Sequence, residues 1–347
     1  MRTGRAADAR RGGAGRLLAA ALVLLAAGCA PRTQEIGPDI VQPRLLADAL
    51  VTPDGDVLPV SVWQPDSAYA APTAVILALH GFNDYSNAFA RPARAFAGAG
   101  LLVYAYDQRG FGATREPGIW PGADVLVADA ERAIAMVRAA HPDLPLYVMG
   151  ESMGGAVATV AVARSAVPVA GLVLVAPAYW GWRSLTTVEG MSLELLTWLA
   201  PWLPLTGQGL DITPSDNIEV LREMALDPLV LKETRVDNLF GLVTLMDVAY
   251  DALGNLDVPV LMLYGGNEDI LPSSAVQAAV DRLESCTGVS AACAPRVAFY
   301  EHGYHMLLRD LDAPVVLGDI VAWVADHRRP LPSGADGGHA QGTASLR

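Results

Sequence analysis

The 347-residue chain predicts an α/β fold, a mostly parallel central sheet with helices on both faces and a helical insertion late in the chain. Three observations predict it. From residue 73 onward, short apolar runs alternate with segments of helical spacing, which is the order of a parallel sheet covered on both sides. With 52% hydrophobic and 18% charged residues the chain can bury a large core. Beyond residue 28, no uncharged apolar run approaches the roughly 20 residues that a membrane-spanning helix needs.

Residues 1–28 read as an export signal. Arg2, Arg5, Arg10, Arg11 and Arg16 form a basic leader in which Asp8 is the only acid, and the apolar stretch over 17–27 is too short to span a bilayer. Leu25-Ala26-Ala27-Gly28-Cys29 resembles a bacterial lipobox, with its leucine one position early. The resemblance implies that Cys29 becomes a lipid-modified N-terminus, anchoring the protein to a membrane on the periplasmic side of the cell envelope. With Cys29 so used, Cys286 and Cys293 remain as one pair, expected to close a disulfide worth roughly 2 to 3 kcal/mol. Beyond residue 28 stand 19 basic and 36 acidic residues, a net −17 that repels phosphate backbones and argues against nucleic acid as a partner.

Residues 29–44 carry three prolines and no apolar period, so they are expected to be a tether. Runs 45–51 and 57–63 alternate around Pro53-Asp54-Gly55 and predict a hairpin. Residues 73–79, 101–106, 146–149, 170–176, 258–264 and 297–300 read as buried strands. Residues 88–97, 124–140, 153–163, 273–283 and 313–327 have helical composition and spacing. Between 178 and 257 the alternation stops, which predicts an insertion in the domain spanning 45–327. Four of the seven tryptophans, Trp180, Trp182, Trp198 and Trp202, fall in it, expected either as its own small core or as a wall for a greasy substrate. The Gly-, Pro- and Ala-rich tail, 328–347, is expected to be disordered.

Gly150-Glu151-Ser152-Met153-Gly154-Gly155 stands directly between a predicted strand and a predicted helix. A Gly-x-Ser-x-Gly there makes a tight turn that thrusts the serine into a cleft, while the glycines permit close backbone packing. Such a serine needs a base, and the base needs a carboxylate to hold its tautomer. The acid is expected after the strand at 258–264, where Glu268 and Asp269 both qualify. The base is expected after the last strand, where His302 and His305 both qualify. Backbone N–H groups of Met153 and Phe82 are the expected oxyanion donors, and His80 is expected to orient backbone beside them. Among the six histidines only His302 and His305 are spaced like a ligand pair, the sole lysine is Lys232, and no phosphate-cradling loop is present, so neither metal nor cofactor is expected.

His80-Gly81-Phe82, Asp107-Gln108-Arg109-Gly110-Phe111-Gly112, the serine motif, Gly266-Asn267-Glu268-Asp269 and Tyr304-His305 occur in the order and at the spacing of one family. Over residues 45–327 the chain resembles an α/β-hydrolase of the monoacylglycerol lipase and lysophospholipase type. The resemblance implies Ser152, Asp269 and His305 as the catalytic triad. It also implies that 178–257 is a cap over an acyl pocket, with Trp180, Trp198 and Trp202 as candidate substrate contacts. Relatives commonly have histidine where this chain has Phe111, a departure that bears on substrate detail rather than on the triad. The expected activity is hydrolysis of lipid-like carboxylic esters through an acyl-enzyme. A peptidase or acyltransferase on the same fold, and a noncatalytic lipid-binding lipoprotein, are the alternatives.

Overall fold

Six apolar runs become the parallel strands of one nine-stranded sheet in the computed structural model, which describes residues 31–65, 69, 71–207, 209, 211–285 and 295–337. The expected export signal, Cys29 and the expected pairing of Cys286 with Cys293 lie outside the described residues. The strands are β1 (Arg44–Leu45), β2 (Ala49–Val51), β3 (Val57–Trp63), β4 (Ala74–Leu79), β5 (Leu101–Tyr106), β6 (Leu146–Glu151), β7 (Gly171–Val175), β10 (Val260–Gly265) and β11 (Arg296–Tyr300). Their order is β1-β2-β3-β5-β4-β6-β7-β10-β11. The expected hairpin forms between β2 and β3, but the run over 45–51 is broken, since β1 folds back antiparallel on β2 and only 49–51 pairs with β3; β3 in turn joins β5 antiparallel. The remaining neighbours, from β5 to β11, are parallel.

The period of two along each strand divides the core. On β4, Val75, Leu77 and Leu79 face one cluster while Ala74, Ile76 and Ala78 face the other. Helices α1 (Ala90–Gly98) and α8 (Ala313–Ala325) cover the second face. On the first lie α2 (Ala123–Ala140), α3 (Met153–Arg164), α6 (Val236–Leu253) and α7 (Ser273–Glu284). The inserted region 178–257 also holds α4 (Thr187–Leu199), α5 (Ile218–Leu226) and the short antiparallel pair β8 (Pro204–Leu205) and β9 (Thr234–Arg235). Its last helix, α6, belongs to the sheet's own layer, since it buries Leu245, Ala249 and Leu253. A parallel β7-to-β10 connection needs such a crossover element.

Arg109, inside the Asp107 turn, is buried and reaches Asp54, Asp56 and Asp129 at 2.8, 2.8 and 2.9 Å, fastening the hairpin turn to α2. Two expectations for the chain ends are corrected. The segment 29–44 is not a free tether throughout, because residues 32–34 dock. Arg32 N–H donates to Asp237 Oδ2 at 3.0 Å, and Gln34 N–H to Trp120 O at 3.0 Å. Gln34 Nε2 lies 3.3, 3.2 and 3.0 Å from the carbonyls of Arg115, Glu116 and Ile119. Nor is the tail disordered as far as residue 337. Leu331 is buried, Ser333 N–H donates to Asp319 Oδ1 at 3.0 Å, and Arg296 pairs with Asp336. Those polar anchors are long-range, so composition alone does not reveal them.

Candidate active site

Ser152 sits between β6 and α3 at φ 53° and ψ −117°, a conformation that an L-residue holds only when its surroundings impose it. Here packing imposes it. A Cβ on Gly154 would lie 2.1 Å from Leu79 O, so α3 and β4 approach more closely than any side chain allows. Ser152 N–H donates to Val175 O at 2.9 Å, and its carbonyl accepts from Ala178 N–H at 3.0 Å, which ties the turn to the end of β7. The serine lines a cavity of about 560 Å³.

His305 lines the same cavity, from the loop after β11. Its Nδ1 is 2.8 Å from Glu268 Oε2. The Glu268 side chain is fully buried, and its Oε1 accepts from Ile270 and Leu271 N–H at 2.8 and 3.0 Å. An ionised carboxylate only accepts, so Nδ1 carries the hydrogen and Nε2 of the neutral ring keeps its lone pair. Burial pushes the Glu268 carboxyl up, but the attraction and hydrogen bond of His305 and the two backbone donors outweigh it, leaving Glu268 below its ordinary value. Burial likewise pushes His305 down, and the neighbouring Glu268 outweighs that, leaving the imidazole above its ordinary value.

The acid is therefore a correction. Asp269 is exposed, and its Oδ2 lies 3.4 Å from Thr213 N, away from His305. The error is one of register. Gly265 is the last residue of β10, and a Gly-x-x-acid spacing counted from it, rather than from Gly266, reaches Glu268. Gly265 is also the point where the two loops meet. A Cβ there would lie 2.3 Å from Gly303 O, and Asn267 N–H donates to Gly303 O at 2.9 Å. His302 is exposed, whereas His305 is buried.

The loop after β4 closes on the serine from the other side. A Cβ on Gly81 would lie 3.4 Å from Ser152 Cβ. His80 is buried and orients this loop as expected. Its Nε2 accepts from Gln108 N–H at 2.9 Å, which fixes the hydrogen on Nδ1, and Nδ1 donates to Gly81 O at 2.8 Å. Burial first of all pushes its pKa down and keeps the ring neutral. In a planar trans peptide, holding Gly81 O on one side points Phe82 N–H to the other. Met153 opens α3, so its N–H belongs to the first turn, which has no partner within the helix. Phe111 packs edge-on against both His80 and Phe82, with ring centroids 5.7 and 5.5 Å apart.

Three buried charged residues on the cavity wall were not anticipated. Arg309, four residues after His305, places Nη1 2.8 Å from Asp84 Oδ2 and Nη2 3.1 Å from Glu151 Oε2, all three being buried. It thereby links the loop after β4, the serine turn and the histidine loop. Burial raises the Glu151 carboxyl despite Arg309. The only local signal was an acid inside the serine motif. Among the described residues, no group of three or more His, Cys, Asp or Glu could hold a metal ion.

Of the three cap tryptophans, Trp180 lines the cavity, while Trp198 and Trp202 do not and are 73% and 46% exposed. The apolar wall is built instead from Leu185 and Leu193 with Leu239, Leu242, Val243 and Met246 of α6. On α4, positions 189 and 193 turn inward, and the tryptophan spacing places Trp198 outward.

A family model described as serine aminopeptidase, S33, matches residues 70–312. The chain is 28% identical over 271 residues to a monoacylglycerol lipase of Mycolicibacterium smegmatis, covering 77% of this chain and 92% of that one. It is 28% identical over 282 residues to the monoglyceride lipase of Homo sapiens, covering 80% and 89%. Among solved structures, a soluble variant of monoglyceride lipase from Saccharomyces cerevisiae superposes with a TM-score of 0.67 at 17% identity, covering 86% of this chain and 99% of that one. The monoacylglycerol lipase of Paleococcus ferrophilus does so at 0.63 and 19%, covering 78% and 99%. The match across most of the chain, together with the sheet order and the serine turn, means that this protein belongs to the S33 serine aminopeptidase family of α/β-hydrolases.

Proposed function

We propose that the protein is a lipase/esterase-type serine hydrolase that cleaves monoacylglycerol- or lysophospholipid-like esters through an acyl-enzyme. The observation that carries the reading is the sequence of contacts from buried Glu268 to His305 to the cavity that Ser152 shares. Ser152 Oγ attacks the ester carbonyl while His305 Nε2 takes its proton. The imidazolium so formed is stabilised by Glu268, and the oxyanion by the N–H groups of Phe82 and Met153. His305 then returns the proton to the departing alcohol. Water repeats the sequence on the acyl-enzyme, releasing the fatty acid and restoring Ser152. The apolar wall suits an acyl chain, and the relatives' names as monoacylglycerol lipases support an ester of that kind.

The same reading includes export and a lipid anchor at Cys29, supported by the basic leader, the short apolar stretch and the lipobox-like residues before it. The test is labelling of Ser152 by a fluorophosphonate, followed by hydrolysis of monoacylglycerols, lysophospholipids, short esters and a matched amide, with Ser152→Ala as the blank. Labelled Ser152 and preferred turnover of the acyl esters support the proposal. Residual activity in Ser152→Ala overturns it, and faster cleavage of the amide favours the peptidase that the family's description names.

A further inference from the structure

Helix α4 is apolar on two sides. Leu193 faces the cavity, while Val188, Met191, Leu195 and Trp198 recur at spacings of three and four and are all exposed, and Trp202, in the turn that follows the helix, extends the exposed apolar surface. A helix surrounded by apolar surface normally buries all of it, and nothing among the described residues covers this second stripe. The stripe carries Glu194 nearby and no Lys or Arg between 184 and 221, so it offers no positive charge to an anionic surface.

The docked N-terminus leads to the same place. Arg32 N–H is bonded to Asp237 Oδ2, Asp237 N–H donates to Pro201 O at 3.1 Å, and Val236 N–H donates to Leu203 O at 3.2 Å. Arg32 also pairs with Glu116. Residue 32 is thus held one side chain away from the turn that carries Trp202. Cys29 is three residues before it, a reach of at most about 11 Å.

We propose that residues 32–34 are an orienting strap, holding the lipid-modified Cys29 beside the 201–203 turn so that the anchor and the apolar stripe of α4 enter one lipid surface together. This rests on the lipid-anchor reading above. The occupant of the stripe is a bilayer, because a chain anchored within that reach brings the stripe to the lipid without a further partner. Insertion is apolar, so zwitterionic phosphatidylcholine suffices and added salt does not release it. The cavity, whose wall is the opposite side of the same helix, then stands over the lipid from which an ester substrate is drawn.

The test uses the mature full-length protein, processed in a host that lipidates exported cysteines, on vesicles of brominated phosphatidylcholine. The expected result is quenching of tryptophan fluorescence that is largely lost in the Trp198→Ser/Trp202→Ser double variant, whose changes fall at exposed positions. A flexible Gly/Ser insertion of about twelve residues after Pro31 uncouples anchor from strap. It should leave turnover of a soluble short-chain ester unchanged and lower turnover of vesicle-borne monoacylglycerol by about fivefold or more. Gln34→Ala should act in the same direction. Unchanged vesicle-borne turnover in the insertion variant overturns the strap. Absent quenching overturns the docking, and a dimer by light scattering would then assign the stripe to a second copy. Mass spectrometry showing an unlipidated N-terminus overturns the anchor reading itself, separately from these, and the strap with it.

Discussion

Replacing Glu268 by glutamine changes one oxygen to an amide and should disable the base without disturbing the fold. Glu268 uses one oxygen for two backbone N–H groups, at 2.8 and 3.0 Å, and the other for His305 Nδ1 at 2.8 Å. A glutamine has one oxygen for these two sites. Facing the backbone pair, the oxygen keeps two bonds and turns the NH₂ toward Nδ1. That ring nitrogen must then accept, which moves its hydrogen to Nε2 and leaves nothing to take the serine proton. Wrong-tautomer losses of this kind are on the order of 10⁴ in kcat, or about 5 kcal/mol of transition-state stabilisation. Asp269→Asn, at an exposed carboxylate, should cost less than about threefold. The pH profile supplies a second readout. His305 must be neutral to act, and Glu268 raises its pKa, so the acid limb of kcat/KM in the parent should lie above that of an ordinary imidazole. In Glu268→Gln the raising charge is gone while the burial that lowers the pKa remains, so the limb of the residual activity should move to lower pH. The assay is ester hydrolysis by purified variants with parental melting. Near-parental Glu268→Gln together with a crippled Asp269→Asn would refute the assignment and restore the sequence-based acid.

Arg309→Met leaves Asp84 and Glu151 buried without their cation, which should cost about 3 to 5 kcal/mol and lower Tm on the order of 10 °C, measurable by calorimetry. Adding Glu151→Gln to it should recover part of the loss. Trp180→Ala removes cavity wall equivalent to two or three methylene contacts, about 2 kcal/mol, so kcat/KM for long-chain esters should fall on the order of 30-fold while acetate esters change little. Gly154→Ala forces a carbon to within 2.1 Å of Leu79 O and should abolish soluble expression or activity altogether, a steric result readable from yield and circular dichroism.

The sheet, its helices and the serine turn were legible because their causes are local. A buried strand needs consecutive apolar residues, a covering helix needs a stripe, and the turn at Ser152 needs glycines in a fixed pattern; each is satisfied within ten residues or so. His305 was legible once the resemblance chose between two histidines three positions apart. The acid was not, because Glu268 and Asp269 are adjacent in one loop, and which carboxylate faces a histidine 37 residues away is decided by how Gly265 packs on the loop at Gly303. Arg309 makes its ion pairs across separations of 225 and 158 residues, so no local pattern points to it. The tryptophans show the same division. Their enrichment in the insertion was plain in the sequence, yet only the rotation of α4 about its axis, with Leu193 packing inward, puts Trp198 outside, while Trp180, in the loop after β7, stands on the cavity wall and Trp202, in the turn after α4, stays exposed. Composition and period determine which segments are apolar; what each apolar face meets is a property of packing between segments distant in the chain.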